Sequence, residues 1–233
     1  TVFLQLIVMV MSFAPIGVFC LIGKFVIADG LDIFQDVLAY VVLLISLLIF
    51  HALFTYSIFL KFIGGLSPIT FFKKIKNVAL FAFSTSSSAA TIPVTLKTVN
   101  QDLGVNQNVA SFVVPVGATI NMDGTAIMQG LATVFIAQMS GIDLTLFQYG
   151  QVVLLAVATS IGTAAVPSAG TITLIIILQQ FNLPLEAIGI ILAVDRVLDM
   201  IRTSVNVTGD AAIACIVAKS ENQLDESIFN AHK

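Results

Sequence analysis

The sequence predicts an all-α membrane protein whose core is an inverted repeat, with two re-entrant helical hairpins and broken transmembrane helices. Of the 233 residues, 58% are hydrophobic and only 10% are charged, whereas about a quarter of the residues in a soluble domain are charged. Two apolar segments have small, polar centres, and each precedes a span that contains Asn, Gly and Asp. These observations together favour a polytopic membrane protein.

The charge balance and the cysteines exclude several classes of protein. A formal net charge of −3 provides no basic surface for nucleic acid. Cys20 and Cys215 lie far apart in apolar runs, without the spacing of a metal or redox site, so we expect them to be small packing residues. The chain is apolar from Val2 and lacks a basic region followed by a cleavage site, so we interpret its start as a truncation and not as a signal peptide.

Residues 3–27 and 37–63 are the first two predicted spans. At about 1.5 Å per residue, each is long enough to cross roughly 30 Å of hydrocarbon. A basic patch of Lys61, Lys73, Lys74 and Lys76 follows them and marks the cytoplasmic side, so the first span runs outward and the second returns. For His51, within the second span, a satisfied packing role is favoured over that of a proton carrier.

Residues 77–96 and 151–180 predict two re-entrant hairpins. Their sequences, NVALFAFSTSSSAATIPVTL and QVVLLAVATSIGTAAVPSAGTITLIIILQQ, are too short on either side of the polar centre to form two full spans. Irregular backbone at membrane depth survives only where protein or a water-filled cavity satisfies it. One such segment alone could be an ordinary helix with a Ser/Pro kink, but two of them favour hairpins.

Each hairpin precedes a span that we expect to be interrupted, and the two units form a weak internal repeat. In the first, AATIP (89–93) precedes NMDGT (121–125); in the second, TAAVP (163–167) precedes NVTGD (206–210). Paired discontinuous segments indicate a transporter binding site near the bilayer midplane. Residues 1–66 are predicted to be two transmembrane helices that precede the repeat. Residues 67–233 are predicted to be the transport core: hairpin, broken helix, hairpin and a final amphipathic helix.

The final helix carries a polar stripe whose members are four, three, four and four residues apart: Asp195, Asp199, Arg202, Asn206 and Asp210. At about 100° per residue they share one helical face. A single charge at the centre of a membrane helix costs at least about 2.5–3.5 kcal/mol, so this stripe must face the protein interior or a cavity. A structural ion-pair network, Asp195 with Arg196 or Arg202, is one explanation.

A binding site is the other explanation of the stripe. The guanidinium fork of Arg202 matches a carboxylate, and a neighbouring Asp could bind an amino group. A carboxylate beside unwound backbone carbonyls forms a hard oxygen site for a small cation. The stripe therefore predicts a site for an acidic amino acid together with cations.

The motifs TSSSAATIP, NMDGT, SIGTAAVPSAG and DMIRTSVNVTGD, in this order, resemble the glutamate/aspartate transporter family, the dicarboxylate/amino acid:cation symporters, over essentially the whole chain. The resemblance implies a secondary active symporter that moves aspartate or glutamate into the cell with Na⁺, by an elevator-type alternating-access mechanism. It also implies a multi-pass protein of the cell membrane that forms a homotrimer through an N-terminal scaffold, of which this chain is a C-terminal portion. In that family pattern, residues 1–66 would connect the scaffold to the transport domain. Proton (H⁺) coupling, or a C4-dicarboxylate as substrate, is the alternative.

The resemblance also implies roles for individual residues. Arg202 would bind the side-chain carboxylate of the substrate and Asp199 its α-amino group. The remaining substrate contacts would come from Thr125, Thr203, Asn206, Ser88 and Val166.

Three sodium sites follow from the same resemblance. The first would use carbonyl groups of Gly117, Asn121 and Asn206 with the carboxylate of Asp210. The second would use backbone oxygens of Thr119, Ser160, Ile161 and Thr163. Asn121 and Asp123 would supply part of the third, whose other ligands would lie on an upstream helix.

The chain departs from the family pattern at one arginine. The family has an additional Arg at the place of Ser86 or of Met200, and here the extra one is Arg196. We expect Arg196 and Asp195 to modulate the site, with Arg196 pairing with Asp199 when substrate is absent. Asp199 itself favours an amino acid over a C4-dicarboxylate. Arg202 disfavours neutral amino acids, which would leave a buried guanidinium unpaired.

Rival classes are less well supported by the residues. Asp123 and Asp195 could form an intramembrane aspartyl pair that shares a proton, but DGT is not the aspartic-protease order and no GxGD follows. The serine cluster lacks a general base, because neither His51 nor His232 is suitably placed. A passive ion channel is compatible with cation sites. The sequence thus predicts a transporter and not an enzyme.

Overall fold

A computed structural model describes residues 33–231 and six isolated positions between residues 9 and 27. The first predicted span, residues 3–27, and His232 therefore lie outside the continuously described part of the chain. The described residues are helical, and their only β pairing is an isolated bridge between Val105 and Leu224. This confirms the predicted all-α class.

Helix α1 begins at Ile33 and ends at Ile63. It is α-helical over Ile33–Phe50 and Tyr56–Ile58, and it has π-helical turns at His51–Thr55 and Phe59–Ile63. The helices that follow are α2 (Pro68–Thr85), α3 (Ser88–Gln101), α4 (Gln107–Ile120), α5 (Asp123–Met139), α6 (Leu146–Ile161), α7 (Ala169–Gln180), a 3₁₀ turn (Leu185–Ala187), α8 (Ile188–Ser220) and α9 (Glu226–Asn230).

Helix α1 coincides with the second predicted span. Within the described residues, its stretch Phe34–Ile63 is the one helix long and apolar enough to cross a membrane. Tyr40, Leu44 and Leu48 are buried at a spacing of four residues, whereas Leu38, Val42 and Phe50 on other faces are exposed. One stripe of α1 therefore packs on the protein, and the rest offers an apolar surface suited to lipid or to other protein helices.

The two predicted hairpins are confirmed as helical hairpins. Hairpin 1 consists of α2 and α3; α2 starts at the cap of Ser67, with Pro68 at its first position, and is terminated by Ser86 in a left-handed conformation (φ 50°). Hairpin 2 consists of α6 and α7, joined by residues 162–168. Thr145 and Gln148 form a capping box at the start of α6.

Only one of the two predicted helix breaks exists in the described residues. The NMDGT segment separates α4, which ends at Ile120, from α5, which begins at Asp123. The prediction of a second break at NVTGD is wrong, because α8 runs without interruption for 33 residues from Ile188 to Ser220.

Helix α8 lies between two apolar clusters and contributes to both. Leu198 and Val205 pack in the first cluster with residues of α1, α5 and α7. Val207 and Cys215 pack in the second with residues of hairpin 1, α4 and the tail. The polar stripe of α8 is thus held at the centre of the protein, where hairpins and broken helix meet.

The tail after α8 folds back onto the base of hairpin 1. Phe229 of α9 is fully buried in the second cluster. Lys74 of α2 donates to the carbonyl of Asp102, directly after α3 (2.9 Å), and to the carbonyl of Ile228 in the tail (2.7 Å). It therefore connects both arms of hairpin 1 to the tail. Asp225 caps α9, and hydrogen bonds from the Ser227 hydroxyl and the Ile228 N–H lower the pKa of its exposed carboxyl below the usual value.

Candidate functional site

The residues predicted to bind substrate line one cavity. This cavity lies where the two hairpin tips, the α4–α5 break and α8 meet. Its volume is about 250 Å³, which includes space open to solvent. All seven predicted substrate residues line it: Ser88, Thr125, Val166, Asp199, Arg202, Thr203 and Asn206. The fold thereby brings together residues that are more than 100 positions apart in the sequence.

The stripe on α8 faces inward, as its spacing predicted. Its five members are buried, with exposed fractions between 2% and 4%. Arg202 Nη2 donates to Asp199 Oδ1, and Arg202 Nη1 lies 3.6 Å from Asp195 Oδ1. One guanidinium therefore lies between two carboxylates of its own helix, which satisfies part of the cost of burying it.

Hairpin 2 binds both of these carboxylates. The N–H of Ser168 donates to Asp199 Oδ2 at 3.0 Å. The hydroxyl of Thr171 donates to Asp195 Oδ1 at 2.6 Å. Ser168 has a left-handed backbone (φ 59°), which is strained for a residue with a side chain, so the loop is held against Asp199 at a conformational cost.

Three buried polar atoms at or beside the cavity have no hydrogen-bond partner within the described part of the chain. They are Arg202 Nη1, Asp195 Oδ2 and the hydroxyl of Ser86 at the tip of hairpin 1. Native proteins leave few such atoms unpaired. Their grouping at this cavity is typical of a site built to bind a polar ligand.

The tips of the two hairpins touch each other. The hydroxyl of Ser87 donates to the carbonyl of Ala165 at 2.8 Å, and the N–H of Ala89 approaches the same carbonyl at 3.4 Å. Ser87 also caps α3 by accepting from Ala90 N–H. A single carbonyl of hairpin 2 thus joins the two tips above the cavity.

Asn206 joins α8 to the start of α5. Its Oδ1 accepts from Gly124 N–H (2.8 Å) and its Nδ2 donates to the hydroxyl of Thr125 (3.2 Å). Gly124 has room for no side chain, since a Cβ there would lie 2.8 Å from Asn206 Oδ1. The side chain of Asn206 therefore fixes Thr125 at the cavity, and its carbonyl belongs to a continuous helix and not to the expected break.

Three of the four residues predicted to bind the first sodium, Gly117, Asn121 and Asp210, lie together. Asn121 Nδ2 donates to Asp210 Oδ1 at 3.0 Å, and a Cβ on Gly117 would lie 2.5 Å from the same oxygen. The carboxylate of Asp210 thus lies directly against the last turn of α4, where the helix dipole favours a cation. The Gly117 carbonyl, one of the predicted ligands, accepts from Asn121 N–H at 2.8 Å.

The predicted ligands of the second sodium site lie on two segments. Thr119 is in the last turn of α4 and is exposed, with its hydroxyl turned back to the carbonyl of Val116 at 2.9 Å. Ser160, Ile161 and Thr163 are at the end of α6, where Ser160 and Thr163 are buried and Thr163 N–H donates to Ser160 O at 3.1 Å.

Asp123 binds a pair of residues from α1. His51 Nε2 lies 2.7 Å from Asp123 Oδ2, and the hydroxyl of Tyr56 donates to the same oxygen at 2.5 Å. Tyr56 also contacts the carbonyl of Val205 at 3.1 Å. His51 is therefore a satisfied histidine, as predicted, but its partner is a residue assigned to the third sodium site.

The pairing expected for Arg196 is wrong. Arg196 is exposed on α8, and the partners of Asp199 are Arg202 and Ser168. The residue that neutralises Asp199 is thus Arg202 itself, three positions along the same helix.

Sequence reasoning missed Tyr56, Ser168 and Gln129. Tyr56 and Gln129 could have been found as polar side chains inside otherwise apolar helices. Ser168 acts through its backbone N–H, and no side-chain pattern signals that. Within the described residues no cluster of three or more His, Cys, Asp or Glu side chains forms a metal site; the cation ligands predicted here are mostly backbone oxygens, which suit hard cations.

Comparisons with known proteins identify the family of this chain. The model of the sodium:dicarboxylate symporter family matches residues 1–220. An excitatory amino acid transporter of Caenorhabditis elegans is 42% identical over 218 residues, which are 93% of this chain and 43% of the relative. Human excitatory amino acid transporter 2 is 40% identical over 235 residues, covering 99% of this chain and 41% of the relative. The mouse excitatory amino acid transporter 3 is 39% identical over 225 residues, 96% of this chain and 43% of the relative. The chain thus spans about two fifths of the length of these relatives.

Proposed function

Because this chain belongs to the sodium:dicarboxylate symporter family, we propose that the protein of which it is part is a secondary active symporter that moves aspartate or glutamate into the cell together with sodium. The family is one of membrane transporters and not of enzymes. The observation that carries the proposal is the buried pair of Arg202 and Asp199 on the wall of the cavity.

The pair has the two charges that an acidic amino acid needs. Arg202 binds the side-chain carboxylate, because its fork can form two parallel hydrogen bonds. Asp199 binds the ammonium group. Hydroxyl and amide groups of Thr125, Thr203 and Asn206 provide neutral hydrogen bonds, and Ser88 and Val166 contribute from the hairpin tips.

Sodium coupling has an electrostatic reason in this core. Asp195, Asp199 and Asp210 are each only 2–3% exposed, and Arg202 is the one buried cation near them in the described residues. An acidic amino acid would add a further negative charge. Buried excess charge is costly unless it is paired, so cations must enter with the substrate.

The proposed cation sites are those that the family resemblance implies. The first would use the carbonyl oxygens of Gly117, Asn121 and Asn206 with the Asp210 carboxylate, and the contact between Asn121 and Asp210 supports it. Backbone oxygens of Thr119, Ser160, Ile161 and Thr163 form a second site when hairpin 2 closes. Asn121 and Asp123 form part of a third, next to Tyr56.

The transport movement and the assembly complete the proposal. Hairpins, broken helix and α8 move as one unit across the membrane in an elevator-type mechanism. The part of the protein preceding this chain supplies the scaffold of a homotrimer, and the exposed apolar faces of α1 support contacts with lipid or that scaffold.

An intramembrane aspartyl enzyme receives no support from the geometry. Asp123 binds His51 and Tyr56, whereas Asp195 binds Thr171 and Arg202. The two carboxylates have separate partners and do not share a proton.

Uptake by the full-length protein in liposomes tests the proposal. Radiolabelled L-aspartate uptake is measured under an imposed sodium gradient, under a proton gradient alone, and with neither. We expect uptake that requires sodium, is abolished by Arg202→Ala and is weakened by Arg202→Lys, which retains the charge but not the fork. Arg196→Ala, on the exposed face of the same helix, tests the modulatory role expected for that residue, and unchanged uptake would remove it.

Other outcomes are equally informative. Uptake driven by protons alone would retain the substrate and overturn the sodium assignments. Sodium-dependent current without substrate accumulation against a gradient would indicate a channel.

A further inference from the structure

Gln129 is a completely buried amide that the proposed substrate and sodium sites do not use. It lies in α5, four residues after Thr125, with an exposed fraction of 0%. Its neighbours Met128 and Ala132 are equally buried and apolar. A polar side chain at such a place is costly unless its hydrogen bonds are made.

The amide of Gln129 binds both arms of hairpin 2. Its Nε2 donates to the carbonyl of Gly170 (2.9 Å) and to the hydroxyl of Thr173 (2.8 Å), both on α7. Its Oε1 accepts from the hydroxyl of Thr159 on α6 at 2.8 Å. Both N–H groups and the oxygen are therefore used, and each arm is bonded to α5.

The contacts continue across the hairpin where its loop joins the two arms. The hydroxyls of Thr163 and Thr173 are 2.9 Å apart, and Thr163 also donates to the carbonyl of Thr159 at 2.9 Å. Gln129 and these three threonines form a polar cluster where the arms leave the loop of residues 162–168. That loop carries Val166, which lines the cavity, and Ser168, which binds Asp199.

We propose that Gln129 is a positioning residue that clamps both arms of hairpin 2 to α5 and so fixes the base about which the tip of the hairpin opens over the substrate. Its consequence for transport rests on the function proposed above.

The distribution of contacts supports a fixed base and a movable tip. The tip is held by the Ala165 carbonyl, which binds hairpin 1, and by the Ser168 N–H. These are contacts that a substrate can replace. The base is held through the completely buried amide of Gln129, whose partners Thr159 and Thr173 are half-buried. Because an unpaired amide at this place would be costly, we expect its hydrogen bonds to be retained when the tip moves.

Accessibility of the hairpin tip measures the clamp directly. Val166→Cys is introduced into the full-length protein, with other accessible cysteines replaced, and its rate of modification by a maleimide is measured in liposomes without substrate. Gln129→Met retains the length of the side chain and removes its hydrogen bonds. We expect modification about tenfold faster than in the parent, corresponding to the loss of one or two buried hydrogen bonds.

Thr133→Val is the matched control. Thr133 is also 0% exposed on α5, one turn after Gln129, but its hydroxyl bonds only to the carbonyl of Gln129 in its own helix. It removes a buried hydroxyl without touching hairpin 2, so its labelling rate should equal that of the parent.

Two milder variants keep the test decisive if Gln129→Met does not assemble. Thr159→Val removes the contact with α6, and Thr173→Val removes that with α7. Each should accelerate labelling about threefold, and each effect should largely disappear in the Gln129→Met background where that protein folds. Labelling rates equal to that of Thr133→Val in these folded variants would overturn the inference.

The labelling result is independent of transport. In uptake, the clamp variants should raise the KM for aspartate several-fold with a smaller change in kcat, because a loosened hairpin weakens closure over bound substrate. If the parent protein took up no aspartate but the variants changed the labelling rate, the clamp would be retained and the proposed function overturned. If labelling were unchanged in the variants and uptake by the parent were normal, the proposed function would be retained and the clamp overturned.

Discussion

The substitution Gly117→Ala gives the sharpest test of the first proposed sodium site. A Cβ at this position would lie 2.5 Å from Asp210 Oδ1, 2.9 Å from its Cγ and 3.3 Å from its Cβ. Asp210 is only 2% exposed and accepts from Asn121 at 3.0 Å. The added methyl group cannot fit beside the carboxylate in its present position, so it must displace the Asp210 carboxylate.

The size of the effect follows from that displacement. Restoring an ordinary carbon–oxygen separation of about 3.4 Å moves the carboxylate by roughly 0.9 Å, which exceeds the tolerance of about 0.5 Å for a preorganised site. It also breaks the bond from Asn121, a charge-assisted hydrogen bond worth about 1.5–3 kcal/mol. We therefore expect a roughly 10- to 150-fold weaker apparent affinity for sodium.

The assay is aspartate uptake as a function of sodium concentration at saturating aspartate. Gly130→Ala is the control, because Gly130 lies inside α5 with nothing within 4 Å of the added Cβ, and alanine there should be neutral or mildly stabilising. If Gly117→Ala and Gly130→Ala gave the same half-saturating sodium concentration, the assignment of Asp210 and the last turn of α4 to a sodium site would be wrong.

Further predictions concern substrate binding and the tail. Gly170→Ala places a Cβ 2.7 Å from Thr125 Cγ2; it should raise the KM for aspartate about tenfold, and Thr125→Ser, which removes that methyl group and retains the hydroxyl, should restore it. Gly104→Ala combines a positive φ of 73° with a clash against the Asp225 carbonyl, so it should lower the thermal midpoint of the purified protein by several degrees more than Gly141→Ala, which has a positive φ of 66° and no clash. Because the pKa of Asp225 is lowered on folding, its cap stabilises the tail above the unfolded pKa and is lost as the pH falls through the folded value; hydrogen exchange in residues 221–231 should stay protected from about pH 8 to pH 5 and increase only below about pH 4.

The sequence predicted the helical class, both hairpins and the first helix break because those features depend on local composition. Ser87 caps α3 and Thr145 caps α6 through hydrogen bonds within three residues along the chain. Such contacts depend on spacing alone. The inward-facing stripe of α8 was also predictable from spacing, because charged side chains at membrane depth must face the protein interior or a water-filled cavity.

The second break was wrongly predicted because a glycine can either interrupt a helix or permit close packing of a continuous one. Gly209 was taken as a helix breaker within NVTGD. In the structure a Cβ at Gly209 would lie 2.6 Å from the Tyr56 hydroxyl and 2.8 Å from Asn121 Nδ2. This glycine therefore permits close packing of α1 and α4 against an unbroken helix, and packing on both sides of α8 outweighs its low helix propensity.

Contacts between distant segments could not be predicted from spacing. Nothing local to His51 indicates that it binds Asp123, 72 positions away. Nothing local to Gln129 indicates that it holds both arms of hairpin 2. Polar residues inside apolar helices signal that partners exist, but only the folded arrangement identifies them.

Under the proposed function, the pairing of Arg202 with Asp199 would connect substrate selectivity to the movement of hairpin 2. An acidic amino acid offers a carboxylate to Arg202 and an ammonium to Asp199, so it replaces one buried ion pair by two. A C4-dicarboxylate would separate the pair and leave Asp199 without a cation, and a neutral amino acid would leave Arg202 without an anion; either leaves a buried charge uncompensated. Ser168 of hairpin 2 donates to Asp199, so the ligand that rearranges this carboxylate also changes what holds the hairpin. In this proposal, recognition of the substrate and closure of the site act on the same atoms, and we expect a substrate of the wrong charge to fail at both.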